Sequence, residues 1–202
     1  MKRNDRIIFS LALTLSVLFS YVSFFDFSIE CGQVRENSVR LHILANSDSE
    51  NDQRLKLMVR DEILKEYGDI MGSCKNREDA VEKLSGIKDD IKDTSVSVLR
   101  KEGSLYDVNV CLENIYFDNR DYGDDITMPA GNYDALRVEI GEAKGKNWWC
   151  VMYPPLCIPV CCERDSLILK EKIKDLRAEK GFEAKFAFVE FGQKVAEKLK
   201  NR

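Results

Sequence analysis

His42 is the only imidazole in a chain that carries seven cysteines. A thiol nucleophile needs a base and a group to orient that base, and the three need not be neighbours in sequence. Cys150 or Cys157 could be the nucleophile, His42 the base, and Asn46 or Asp48 the orienting group. No nucleophile elbow or protease-type local motif surrounds either cysteine. A metal centre would have to complete the shell of His42 from cysteines and carboxylates. The run Cys150-x6-Cys157-x3-Cys161-Cys162 lacks the paired C-x2-C spacing of a zinc knuckle. Asp118, Asp121, Asp124 and Asp125 crowd one segment, but their spacing is not that of an EF-hand and reads as a solvated loop. Neither a metal nor a cofactor is expected, and catalysis is the weaker reading of these residues.

The cysteines read better as structural groups. Seven is an odd number, so in an oxidising compartment at least one has no partner within the chain. A Cys150–Cys157 disulfide across the Pro154-Pro155 turn would fix an exposed loop and is preferred to a catalytic role. Cys111 falls in an apolar strand pattern, as a buried small thiol would. Around Cys150 lies a dense patch of Trp148, Trp149, Met152, Tyr153, Pro154, Pro155 and Leu156. Two tryptophans in succession on a strand face opposite sides. One is expected to pack inward and the other to meet the surface or a partner, as rigid aromatic anchors do at interfaces.

The compartment follows from the start of the chain. Lys2, Arg3 and Arg6 precede an apolar run from Ile7 to Phe25, 19 residues that suffice to span a bilayer near the lower length limit. The basic flank stays cytoplasmic and the remainder is placed outside. Residues 1–30 are read as a signal peptide or an uncleaved membrane anchor, and 36–202 as one extracytoplasmic domain. Small residues near Ser23 and Ser28 are the cleavage candidates, and neither forms a clean A-x-A-like site. Thirty-one basic against 35 acidic residues give a net charge of −4, and no basic patch alternates with aromatics, so a nucleic-acid partner is not expected.

The elements that must position these groups are legible in the periodicity. Ser38 to Leu44 alternates as a strand, with Val39, Leu41 and Ile43 on one face and Arg40 and His42 on the other. A polar turn follows. Ser49 then caps a helix, with Asp52 completing a capping-box-like pair and Leu55, Val59, Ile63 and Tyr67 on one stripe. Gly68 and Gly72 are expected to break it. A second helix starts near Asn76, and Gly103 closes it. Strands are predicted from Tyr106 towards Phe117, over Tyr133 to Ile140 and over Asn147 to Tyr153. Asn119 to Asn132 is predicted as loop and Gly141 to Gly145 as a hairpin connection. Beyond them the pattern predicts a helix from Asp165 or Ser166 to Gly181, a strand over 182–188, and a terminal helix carrying Phe191, Val195 and Leu199. The whole reads as a single-domain α+β fold, a mostly antiparallel sheet with packed helices, preceded by the hydrophobic export or anchor helix.

Two stretches carry a resemblance. Val39 to Ser49, continuing through Asp52, Gln53, Lys56 and Val59-Arg60-Asp61, is similar to the N-terminal signature of the stage II sporulation protein R family. Asn147 to Cys157 is similar to its C-terminal signature, and Pro129 to Arg137 with Ile140-Gly141 also match. The resemblance covers about residues 36 to 160 and gives little to match after Cys157. It implies a non-catalytic, secreted signalling protein of endospore formation, released from the forespore into the space between forespore and mother-cell membranes. There it would activate its partner, the membrane-embedded aspartic protease that processes the mother-cell sigma factor precursor. The partner-binding residues expected on this basis are Arg40, His42, Asn46, Asp48, Asp52, Arg60, Trp148, Trp149, Pro154 and Pro155. The alternative function is an exported cysteine-dependent hydrolase acting on wall or protein substrate.

Overall fold

The computed structural model describes residues 3–122, 126–155 and 182–200. Its first element, α1 (Arg3–Glu36), carries the apolar run and then continues unbroken into the folded domain. From Ile7 to Phe25 most of the large side chains are exposed, whereas Phe27, Cys31 and Val34 are fully buried. The helix is long and apolar enough to cross a membrane, with an 18-residue window of mean hydropathy 2.1.

After α1 the chain forms β1 (Val39–Leu44), α2 (Glu50–Gly72), α3 (Arg77–Lys101) and β2 (Val108–Phe117). A small hairpin, β3 (Arg120–Tyr122) and β4 (Ile126–Met128), precedes β5 (Gly131–Ile140) and β6 (Asn147–Tyr153). The last described helix is α4 (Phe182–Lys200). The main sheet has the order β2-β5-β1-β6. β2/β5 and β1/β6 are antiparallel, whereas β1/β5 is parallel. The fold is therefore α+β with a mixed sheet in which antiparallel neighbours predominate.

The sheet is covered on both faces by different partners. Val39, Leu41, Ile43, Leu136, Val138, Cys150 and Met152 pack against Leu55, Val59 and Ile63 of α2 and Leu84, Ile91 and Leu99 of α3. This is the face that the strand alternation and the two helical stripes anticipated. Each such fully buried aliphatic side chain contributes about 1.5–3 kcal/mol by leaving water. The opposite face holds a smaller core of Phe27, Cys31, Val34, Phe117, Met128, Tyr133, Val151 and Val189, supplied by α1, the hairpin and α4. It converts the expected solvent face of β1 into an interior, and Arg40 and His42 are buried in it.

Several expectations are corrected by the packing. Gly68 lies inside α2, which ends only at Gly72, because burial of Ile63, Tyr67 and Met71 outweighs the modest helical cost of one glycine. The connection 141–146 is no hairpin, since β1 is inserted between β5 and β6. The loop expected over 119–132 contains the β3/β4 hairpin. Residues 182–188 form the opening turns of α4 rather than a strand. Their short alternation is compatible with either period, and the longer helical spacing through Val189 and Val195 decides. The helix predicted over 165–181 lies outside the described residues.

Candidate functional site

β1 and β6 are paired so that His42 faces Trp149 and Leu41 faces Cys150. Because side chains alternate along a strand, the two residue pairs project to opposite faces. His42 stacks on Trp149, with ring centroids 4.7 Å apart, and meets Phe117 edge-on at 5.7 Å. Cys150 belongs to the core beneath α2 and α3. The sheet itself separates the two groups that a Cys150–His42 hydrolase would require in contact.

The aromatic cluster also receives a cation. The Arg40 guanidinium lies 4.2 Å from the Phe117 ring centre and 5.0 Å from that of Tyr133. On the outer side of Trp149, Arg120 approaches the indole at 4.7 Å. A guanidinium is planar and weakly hydrated, so it can stack on ring faces where an ammonium would stay with water. Burial holds the His42 imidazole down to about 4, with Arg137 and Arg40 adding repulsion against its protonated form. His42 is neutral at physiological pH, and among the described residues neither ring nitrogen has a hydrogen-bond partner.

At the end of β1 the polar turn is locked from within the chain. Asn46 donates to Asp52 Oδ2 at 2.8 Å and Ser47 Oγ donates to the same oxygen at 2.5 Å. The Ser49 cap forms as expected, accepting from the Asp52 amide at 3.1 Å. The Asp52 carboxylate, however, is spent on the turn rather than completing a capping box. Burial pushes its pKa up, but hydrogen bonds from Ser47 and Asn46 outweigh this and hold it below the usual value. Asn46 Oδ1 accepts from the Glu142 amide, and Asp48 Oδ1 accepts from the Lys146 amide. Lys56 adds a bond from its ammonium to the Lys146 carbonyl. Gly145 fits here because a Cβ would collide with the Ser47 carbonyl and with the Ala45 side chain.

The expected partner-binding residues thus divide by accessibility. Arg40, His42 and Asp52 are buried, and so are Pro154 and Pro155 at the end of β6. Asn46, Arg60, Trp148 and Trp149 are half-buried, and Asp48 is exposed. Trp148 and Trp149 point to opposite faces. Trp148 packs partly against the helical core with Arg60 5.0 Å from its ring, and Trp149 joins the second core. Both keep an edge on a cleft of about 360 Å³ lined by Arg120, Asp121, Lys146 and Asn147. Arg120 was not legible as a site residue, because it stands in a segment that reads as loop. Phe117 and Tyr133 gave only strand signals.

No disulfide joins two described residues, so the expected Cys150–Cys157 bridge is not found among them, although Cys150 itself is not a free thiol. The cysteines are dispersed by the fold: Cys31 lies in the core on one face, Cys74 in the core on the other, and Cys111 is half-buried on β2. All three are thiols. Cys157, the partner expected for Cys150, lies outside the described residues, as do Cys161 and Cys162. Burial pushes the Cys111 thiol above its ordinary value, with Glu113 and Glu139 adding to the effect, so it is poorly suited to nucleophilic work. Asp121 accepts a hydrogen bond from Thr127 and Asp118 pairs with Lys194. Among the described residues no group of three or more His, Cys, Asp or Glu side chains is placed to hold a metal ion.

The family model described as "Stage II sporulation protein R" matches residues 35–162, a span that holds the sheet, α2, α3 and the cleft. Stage II sporulation protein R of Bacillus subtilis (strain 168) is 36% identical over 124 residues, covering 61% of this chain and 55% of that protein. The chain therefore spans about half the length of the curated relative it matches. No solved structure matches.

Proposed function

Because the chain belongs to the stage II sporulation protein R family, we propose that it is an exported signal of endospore formation that activates a membrane-embedded aspartic protease processing the mother-cell sigma factor precursor. The observation that carries this reading is the family match over the whole sheet with α2 and α3, joined to an apolar helix ahead of it. Residues 1–30 serve as the export segment and residues 36–202 act in the space between forespore and mother-cell membranes. The anchored form is favoured over the cleaved one, since Ser23 and Ser28 lie inside one continuous helix.

The receptor-facing surface is the cleft at the end of β1 and β6. Trp148, Trp149, Arg60, Asn46 and Asp48 reach solvent there, beside Arg120 and Lys146. Arg40, His42, Asp52, Pro154 and Pro155 act indirectly, by holding the surface in shape. Half-buried indoles fixed by stacking lose little entropy on binding, which suits them as anchors. Activation is a population shift: the signal binds the active arrangement of the protease more tightly than the inactive one. Changing Trp149 or Arg120 to alanine should cut precursor processing in sporulating cells while the exported protein stays folded. Undiminished processing by both variants would remove the cleft from the interface.

A further inference from the structure

The far end of the molecule carries an apolar surface that the cleft does not use. Phe188 and Phe191 of α4 are 67% and 68% exposed, and α4 lies against the part of α1 from Ser23 onward, where the apolar run ends. Lys185 donates to Ser23 Oγ at 2.8 Å, and Phe188 meets Phe24 edge-on with centroids 6.3 Å apart. Further along, Gln193 and Arg35 line one cleft, and Glu197 accepts from Asn132 at 3.2 Å. The two helices therefore run side by side in the same direction, and α4 starts beside the end of the apolar run.

That alignment sets a depth for each side chain. The run Ile7 to Phe25 is about 28 Å long at 1.5 Å per residue, close to the ~30 Å of a bilayer's hydrocarbon core. Phe24 then sits at the hydrocarbon boundary and Phe188 sits level with it. Phe191 lies about 4.5 Å further out, still within a headgroup layer roughly 5–8 Å deep. Leu199, on the same helix, is about 16 Å from Phe188 and clears that layer. On the span itself Tyr21 and Phe25, within three residues of the Phe24 that meets Phe188, are both more than half exposed.

We propose that the first turns of α4 are a second membrane contact, with Phe188 and Phe191 inserted at the lipid interface beside the exit point of α1. The occupant of this apolar surface is lipid, and the inference rests on the reading of α1 as an uncleaved span. Two contacts in place of one fix the rotation and tilt of the folded domain on the membrane. That presents the cleft to a membrane-embedded receptor in one orientation.

The test uses the full chain in phospholipid nanodiscs, with the photo-crosslinker p-benzoylphenylalanine replacing Leu15, Phe188, Phe191 or Leu199 in turn. Lipid adducts are expected at 15, 188 and 191, with loss of the adduct at 199. Adducts at 15 without any at 188 and 191 would overturn the second contact and leave the span intact. Absence at 15 as well would overturn the span and the contact together. Adducts at 188 joining two protein chains would assign the surface to self-association instead.

Discussion

Trp149 lies over the His42 imidazole with ring planes only 24° apart, while the Arg40 guanidinium lies 5.7 Å from the same indole. This places the chain's single histidine inside a cationic and aromatic interior rather than beside a nucleophile. Its neutrality is thus a condition of packing. The residue that first suggests catalysis in the sequence is used in the fold to seal the second face of the sheet.

A pH dependence of stability follows. The imidazole has a folded pKa of about 4 against an ordinary 6.5, so the unfolded chain binds more protons between these values. Stability is complete above about pH 6.5 and falls as pH drops towards 4, by at most ~3 kcal/mol from this group. Chemical denaturation at pH 7 and pH 4.5 should show the loss. His42→Phe should remove that part of it, and an unchanged pH profile in this variant would contradict the assignment.

Arg40→Lys should destabilise the domain by about 1–2 kcal/mol although charge is conserved, since an ammonium cannot stack on Phe117 and Tyr133 as a guanidinium does. Urea midpoints of the two proteins measure this directly, and equal midpoints would mean that ring stacking contributes nothing.

Asp52→Ala should cost more than Ser49→Ala. The serine supplies one capping bond, worth about 1 kcal/mol. The carboxylate closes the turn with Asn46 and Ser47, and its removal takes the acceptor from two half-buried donors, at up to about 1–3 kcal/mol each. Thermal melts of the two variants rank them.

Gly145→Ala should weaken the fold more than Gly141→Ala. At 145 the added methyl meets the Ser47 backbone carbonyl, which has nowhere to go. At 141 it meets the Asn46 side chain, and the positive φ of 59° adds a further ~1–2 kcal/mol. Amide exchange over residues 45–49 should accelerate in both variants.

Cys150→Ala should retain precursor processing wherever the exported protein folds, because the Cys150 sulfur and the His42 imidazole lie on opposite faces of the sheet. Loss of processing by a folded Cys150→Ala protein would reinstate a thiol-dependent reaction.

Local information sufficed for much of this protein. The apolar run, the Ser49 cap, the start of α3 near Asn76, and the stripes of α2 and α3 are short-range patterns fixed by helical and strand periodicity, and each is realised. The signature around Trp148 and Trp149 also identified the family. What the chain order could not disclose is adjacency. β1 inserts between β5 and β6, and no local pattern encodes which strands pair across ninety or more residues. A second layer then covers the face of β1 that carries Arg40 and His42, so residues that alternate as if exposed become interior. Asn46 and Asp48 look like free polar groups until the 141–146 connection arrives to donate its amides to them. Burial and partnership are properties of the assembled layers, and for these residues only the tertiary structure decided them.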